Sequence, residues 1–205
     1  APFSITAWVK VEDVLDSAIL SKYDSASGKE WIFGFTGSKT FGMGLHDHNQ
    51  GGAEQIKETA TTVEDLEGGW HHVAATYDGR EGSQAAEGLE IYIDGLAVAT
   101  VTGMSSSYIG MQNLSAGVRL GKQGSNDFSG EIHRVTIWEE ELTQNQIQQD
   151  MAGQLNLPDS ITGDWVLVNN DGIINVIDIV VVVNIIFGDT VPNNQQSCAS
   201  DANGD

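Results

Sequence analysis

Trp70-His71-His72-Val73-Ala74-Ala75-Thr76-Tyr77-Asp78-Gly79, followed after a loose linker by Leu89-Glu90-Ile91-Tyr92-Ile93-Asp94-Gly95, is the stretch that decides the fold. Each half is a short run of aromatic and β-branched residues with alternating polarity, and each closes on Asp-Gly. Asp-Gly between apolar runs signals a tight hairpin turn, because Gly accepts the positive φ that such a turn demands. The centre of the chain therefore reads as successive antiparallel strands. Outward from it, Phe3–Val11 alternates in the same way, with Trp8 expected to face the core. Further strands are expected over 18–22, 31–35, 41–46, 97–102 and 118–121, separated by Gly- and Ser-containing turns. Residues 49–57 are polar and Gly-rich and read as a loop. After Trp138 a polar helix is expected, with Thr143 as its N-cap and Ile147 and Met151 one turn apart on one face.

A chain of 205 residues suffices for one sizeable sandwich, or one domain plus a small module. A 40% hydrophobic content with 24 Gly suits a turn-rich β protein better than a helical bundle. Nine Lys and Arg against 29 Asp and Glu leave 9 − 29 = −20, a field that repels nucleic acid and anionic lipid and attracts cations. The single Cys198 excludes an internal disulfide framework. Ala1 leads directly into strand-like sequence and Asp205 breaks off inside a motif, so a fragment of a longer exported protein is expected.

The spelling of 70–79 and 89–95 resembles the bacterial laminin-G/pentraxin-like branch of the concanavalin A-like lectin and glucanase superfamily. So do Phe3-Ser4-Ile5-Thr6-Ala7-Trp8-Val9, and Phe128-Ser129-Gly130-Glu131-Ile132 before the alternating run that ends at Trp138. The resemblance implies an all-β fold, an antiparallel β-sandwich of jelly-roll, concanavalin A-like type, over residues 1–152. It also implies that the family's first strand, which pairs with the last, is missing ahead of Ala1. In this family, carboxylates near the 124–130 turn help to bind a structural calcium, which makes Asp127 a candidate ligand.

Residues 153–163 read as a linker, and beyond them the composition changes. From 164 to 205 there are six Asp and no Lys or Arg, around the apolar run 176–187. At twelve residues that run is too short to span a bilayer. Ahead of it, Asn169, Asp171, Asn175 and Asp178 occupy positions 3, 5, 9 and 12 of an EF-hand-like register, with Gly172 at position 6. Calcium takes six to eight oxygens at about 2.3–2.6 Å, and the Gly permits the bend that turns successive side chains inward. Asp201, Asn203 and Asp205 supply positions 1, 3 and 5 of a second such loop. Two loops of this kind, with Asn175-Val176-Ile177-Asp178-Ile179-Val180 and Val183-Asn184-Ile185-Ile186-Phe187-Gly188, resemble a type I dockerin, the duplicated calcium module that plugs into a cohesin. The resemblance implies a helix over 178–187 and a small C-terminal α calcium-loop segment over 164–205. Position 1 of the first loop falls on Leu167, which cannot ligate, and the second loop lacks its Gly and its last ligands.

Other candidates are weaker. His46-Asp47-His48 puts two imidazoles at alternate positions, where zinc is imaginable, but no third ligand is identifiable. Tyr23, Trp31, Tyr108 and Trp165 are aromatic rings that can stack on the apolar face of a sugar, although most Trp in a sandwich are core residues. Glycosidases need paired carboxyls about 5–9.5 Å apart, and the laminarinase spelling Glu-x-Asp-x-x-Glu is absent. The chain is therefore expected to be non-catalytic: a calcium-associated, lectin-like module of a secreted polysaccharide-degrading or cell-surface protein. Its expected partners are a polysaccharide or glycoprotein glycan and a cohesin, with no nucleic acid and no membrane insertion. The alternative is a structural spacer or adhesion domain with a vestigial dockerin.

Overall fold

Alternating polarity becomes strands wherever a buried partner exists for the apolar face. The computed structural model describes residues 1–24 and 28–153. The chain divides into two units, Ala1–Leu155 and Asn156–Asp205. The loops at 169–178 and 201–205, the linker, Trp165 and the helix expected over 178–187 lie outside the described residues.

In chain order the strands are β1 (Phe3–Val11), β2 (Ser17–Asp24), β3 (Gly28–Phe35), β4 (Phe41–Asp47), β5 (Ala53–Thr59), β6 (Trp70–Tyr77) and β7 (Leu89–Ile93). There follow β8 (Leu96–Ala97), β9 (Thr100–Met104), β10 (Arg119–Leu120), β11 (Lys122–Gln123), β12 (Asn126–Asp127) and β13 (Gly130–Trp138), then helix α1 (Gln144–Met151). The smaller sheet has the order β13-β1-β6-β7-β8 and the larger β10-β2-β3-β4-β5-β9, with β11-β12 a separate ribbon. Pairing within the two sheets is antiparallel throughout.

The inner faces of the two sheets share one core. Ile5, Ala7 and Val9 of β1 and Val73 and Ala75 of β6 are fully buried, as are Phe33, Phe41, Met43 and Leu45 from the larger sheet. Phe3 reaches across to Trp31 of β3, their ring centroids 6.2 Å apart. Each such side chain contributes about 1.5–3 kcal/mol by leaving water. The deciding stretch forms β6 and β7, and the Asp94-Gly95 pair turns β7 into β8 with φ of +49° and +74°. Two successive positive φ values are the backbone of a type I′ hairpin turn.

Several expectations are corrected. Trp8 does not face the core: Ile5, Ala7 and Val9 take the inward positions, and Trp8 pairs with His72 on the outer face, half-buried. Of the stretch 49–57 read as loop, residues 53–57 belong to β5, between β4 and β9. Residues 97–102 do not form one strand, because β8 ends in one sheet and β9 begins in the other. Phe3–Val11 pairs with the closing strand, Ser4 opposite Trp138 and Val11 opposite Gly130, and β13 forms the edge of its sheet among the described residues, as expected of a sheet lacking one more strand there.

The two outer faces differ. On the smaller sheet the Ser4 hydroxyl donates to the Glu140 carbonyl at 2.7 Å and accepts from the Leu142 N–H at 2.9 Å, which ties 139–142 across the strands. Asp150 of α1 reaches His72 Nε2 at 3.1 Å. Among the described residues, the α-helix lies on this side, and the outer face of the larger sheet carries none.

Candidate functional site

The open face of the larger sheet is set by β4. Phe41, Met43 and Leu45 point inward, so strand alternation sends Gly42, Gly44 and His46 outward. Cross-strand pairing places Ile32, Gly44, Ile56 and Gly103 in one row, with Glu54 opposite His46 and Glu58 opposite Gly42. A register shift between Lys22 and Tyr23 brings Tyr23 opposite Lys29. The Tyr23 ring then stands edge-on to His46, centroids 5.0 Å apart.

The result is a trough floored by Gly44 and flanked by the half-buried Ile32 and Ile56. A Cβ on Gly44 would lie 3.0 Å from Glu54 Oε1 and 3.5 Å from His46 Nε2, so both polar groups lean over the bare backbone. His46 is 7% exposed. Its Nε2 has no hydrogen-bond partner among the described residues, and the nearest acid, Glu54 Oε1, lies at 3.6 Å. That is outside hydrogen-bond range. Burial pushes the imidazole down to about 4, and Lys29 pushes the same way, against a hydrogen bond to the Gly52 backbone. His46 is therefore neutral near pH 7. Burial also raises Glu54, with Glu58 adding to the shift, although the Glu54 side chain remains 47% exposed. Lys29 is held at the end of the trough, its stem against Gly52.

Of the aromatic candidates among the described residues, Tyr23 alone stands on this face. Trp31 is 6% exposed and belongs to the core, and Tyr108 is 2% exposed, its hydroxyl pushed upward first by burial. Neither ring is offered to a sugar. Asp127 lies in the β11–β12 ribbon, where the Lys122 ammonium sits 2.7 Å from Oδ1. The Asp127 carboxylate is thus paired with a cation, and no cluster of three or more His, Cys, Asp or Glu suited to a metal occurs among the described residues. His46, Asp47 and His48 do not gather around a common centre. Asp47 turns inward and accepts from the backbone N–H groups of Gln50, Ile109 and Gly110 and from the Gln112 amide. Of the paired histidines, His72 is buried against Asp150, and His71 holds Asp94 at 2.8 Å. Asp78 and Asp94 shape their turns: the Asp78 carboxylate accepts from the Arg80 N–H and that of Asp94 from the His72 N–H.

Reading the sequence singled out Tyr23 and His46 as site candidates, took Gly42 and Gly44 only as places where the backbone can kink or pass close to a neighbour, and did not mark Glu54. The signal was Gly42-x-Gly44-x-His46, which on a strand leaves one face without side chains beside an imidazole.

Known proteins agree with this architecture. Residues 1–148 match the laminin G family model described as the concanavalin A-like lectin/glucanases superfamily. Pentraxin-related protein PTX3 of Mus musculus is 28% identical over 155 residues, 71% of this chain and 38% of the relative. PTX3 of Bos taurus is 25% identical over 156 residues, 72% of this chain and again 38% of the relative, so the chain spans well under half of either protein. Among solved structures, the binding domain of botulinum neurotoxin DC in complex with SialylT is similar at a TM-score of 0.52 and 17% identity, over 75% of this chain and 35% of that one. With the match covering 1–148 and two antiparallel sheets around one core, the chain belongs to the laminin G family of the concanavalin A-like lectin/glucanases superfamily.

Proposed function

We propose that the chain is a non-catalytic glycan-binding module of a secreted or cell-surface protein, and that the trough over Gly44 is its binding site. The observation that carries this reading is His46: a side chain more than nine-tenths buried, with a bare Nε2 beside a strand position that has no side chain. Buried polar atoms without partners are rare in folded proteins, and a ligand hydroxyl is one way to satisfy this one. Tyr23, Ile32 and Ile56 supply walls for the apolar C–H face of a sugar ring. Family membership supports the lectin-like reading.

Glu54 and Glu58 on this face are four residues apart on β5, their backbone positions about 13 Å apart along an extended strand. The segment 164–205 fits a calcium-binding, dockerin-type attachment to a cohesin, with Asn169, Asp171, Asn175 and Asp178 as the first-loop ligands and Asp201, Asn203 and Asp205 as the start of the second. Extracellular placement fits both parts, and among the described residues no helix is long and apolar enough to cross a membrane.

Affinity electrophoresis through polysaccharide-containing gels tests the reading. The full chain is expected to be retarded in at least one gel, and the retardation is expected to persist in EDTA, because the trough contains no metal cluster. Free migration through every polysaccharide tried would favour a structural spacer. A chelator-induced fall in one melting transition is expected from the tail, since an ion bound only by the folded state stabilises it.

A further inference from the structure

We infer that the trough over Gly44 is built for a pair of neutral sugar hydroxyls and turns acidic sugars away, an inference that rests on the glycan-binding reading above. The starting point is a clash of acceptors. The hydrogen bond between His46 and the Gly52 backbone raises the imidazole pKa, so the ring donates it. With Nε2 bare, that donor is Nδ1–H. In the neutral ring, Nε2 then presents a lone pair. It faces Glu54 Oε1 at 3.6 Å, and a carboxylate can only accept. Among the described residues no donor lies between the two, since Nε2 has no partner there. Two acceptors at this spacing are satisfied together by a ligand that brings two donors, and vicinal hydroxyls on a pyranose ring do so.

The surroundings decide the rest of the ligand. Gly44 has no side chain, so a ring carrying those hydroxyls can settle on the strand itself, its C–H groups against Ile32 and Ile56. The half-exposed Glu54 carboxylate lies over Gly44 and pivots outward for the ring while staying within a hydroxyl's reach of Nε2, so the two acceptors remain a pair. Charge excludes a carboxylated sugar. Glu54 and Glu58 share this face, and the whole chain carries a net charge of −20. Of the cations on this side, Arg119 is held by Asp24 at 2.7 Å, while Lys29, near Gly52 and close enough to lower the His46 pKa, sets one positive charge against the two carboxylates. A uronate or sialate in the trough would bring its carboxylate next to two others, an unfavourable pairing wherever water is partly excluded.

The experiment uses the full chain and three variants in affinity gels. The neutral probes are laminarin, galactomannan and β-galactan, and the acidic probes are polygalacturonate and a sialyllactose conjugate. Retardation is expected with a neutral probe and not with the acidic ones. Glu54→Gln places an amide donor toward His46 Nε2, so it is expected to weaken neutral binding about tenfold, the worth of one good hydrogen bond. It is also expected to raise the melting temperature, whereas loss of a merely structural carboxylate would lower it. Gly44→Val is expected to abolish binding by filling the floor, and Trp70→Ala, on the other sheet, to leave it unchanged. Glu54→Gln decides the matter if Gly44→Val fails to fold. Preference for the acidic probes, or neutral binding indifferent to Glu54→Gln, overturns the inference while the lectin reading stands. No retardation by any probe overturns both.

Discussion

His46 is where burial, charge and pH meet in one side chain. Its folded pKa is depressed to about 4, from an ordinary value of 6.5, chiefly by burial. A histidine lowered in this way contributes stability that is fully present above the unfolded value and is lost as pH falls from 6.5 toward 4. A shift of that size corresponds to about 3 kcal/mol between pH 7 and pH 4. Glu54, Glu58, Lys29 and Tyr23 face the ring, and the raised Glu54 carboxyl works in the opposite direction as it protonates. The measurement is therefore a difference: denaturant midpoints of wild type and His46→Gln from pH 7 to pH 4, with the wild-type curve expected to fall more steeply. Parallel curves would show that the imidazole titrates normally in the fold. In the sequence this residue stood out only as half of an alternating pair, because its neighbours Ile32, Lys29 and Glu54 lie on β3 and β5, strands that only the sheet brings together.

Elements announced themselves in proportion to how local their stabilisation is. Helix α1 was legible at its start because its cap is a short-range device. The Thr143 N–H donates to Gln146 Oε1 at 2.8 Å, and the Gln146 N–H returns a bond to Thr143 Oγ1 at 3.4 Å, a capping box. Thr143→Ala is expected to cost about 1 kcal/mol, read as a lower unfolding midpoint without a change in slope. Strand β5 shows the converse. Its inward positions are Gln55, Lys57 and Thr59, polar residues that no periodicity argument places in a core. Each is satisfied from far along the chain: Gln55 donates to the Ser105 carbonyl at 2.8 Å, Lys57 reaches Glu90 at 3.1 Å, and Thr59 accepts from the Phe41 N–H at 3.2 Å. Trp8 misled for a related reason, since size suggested the core while its position in the alternation put it outside, half-buried beside the buried His72–Asp150 contact.

The described residues form a sandwich whose cations are nearly all engaged. Lys10, Lys22, Lys39, Lys57, Arg80, Arg119, Lys122 and Arg134 each stand in an ion pair with Asp or Glu. The net charge of −20 is thus an excess of carboxylates without local compensation, and self-repulsion opposes the compact state. Added salt screens that repulsion, so the melting temperature is expected to rise between low ionic strength and 0.5 M NaCl, where the screening length is only about 4 Å. A fall would mean that the ion pairs outweigh the excess. The antiparallel class and the order of most strands were readable, because Asp-Gly turns and alternation are written locally. The open face was not, because it depends on which strands become neighbours. One further consequence follows from the pairing of β1 with β13. Ser4 lies opposite Trp138, so the start of one strand adjoins the finish of the other. Tension applied between Phe3 and Trp138 would load that seam from one end and part its hydrogen bonds singly, like a zip, rather than shearing the whole ladder at once. A module with this seam is poorly suited to bearing mechanical load between those two points.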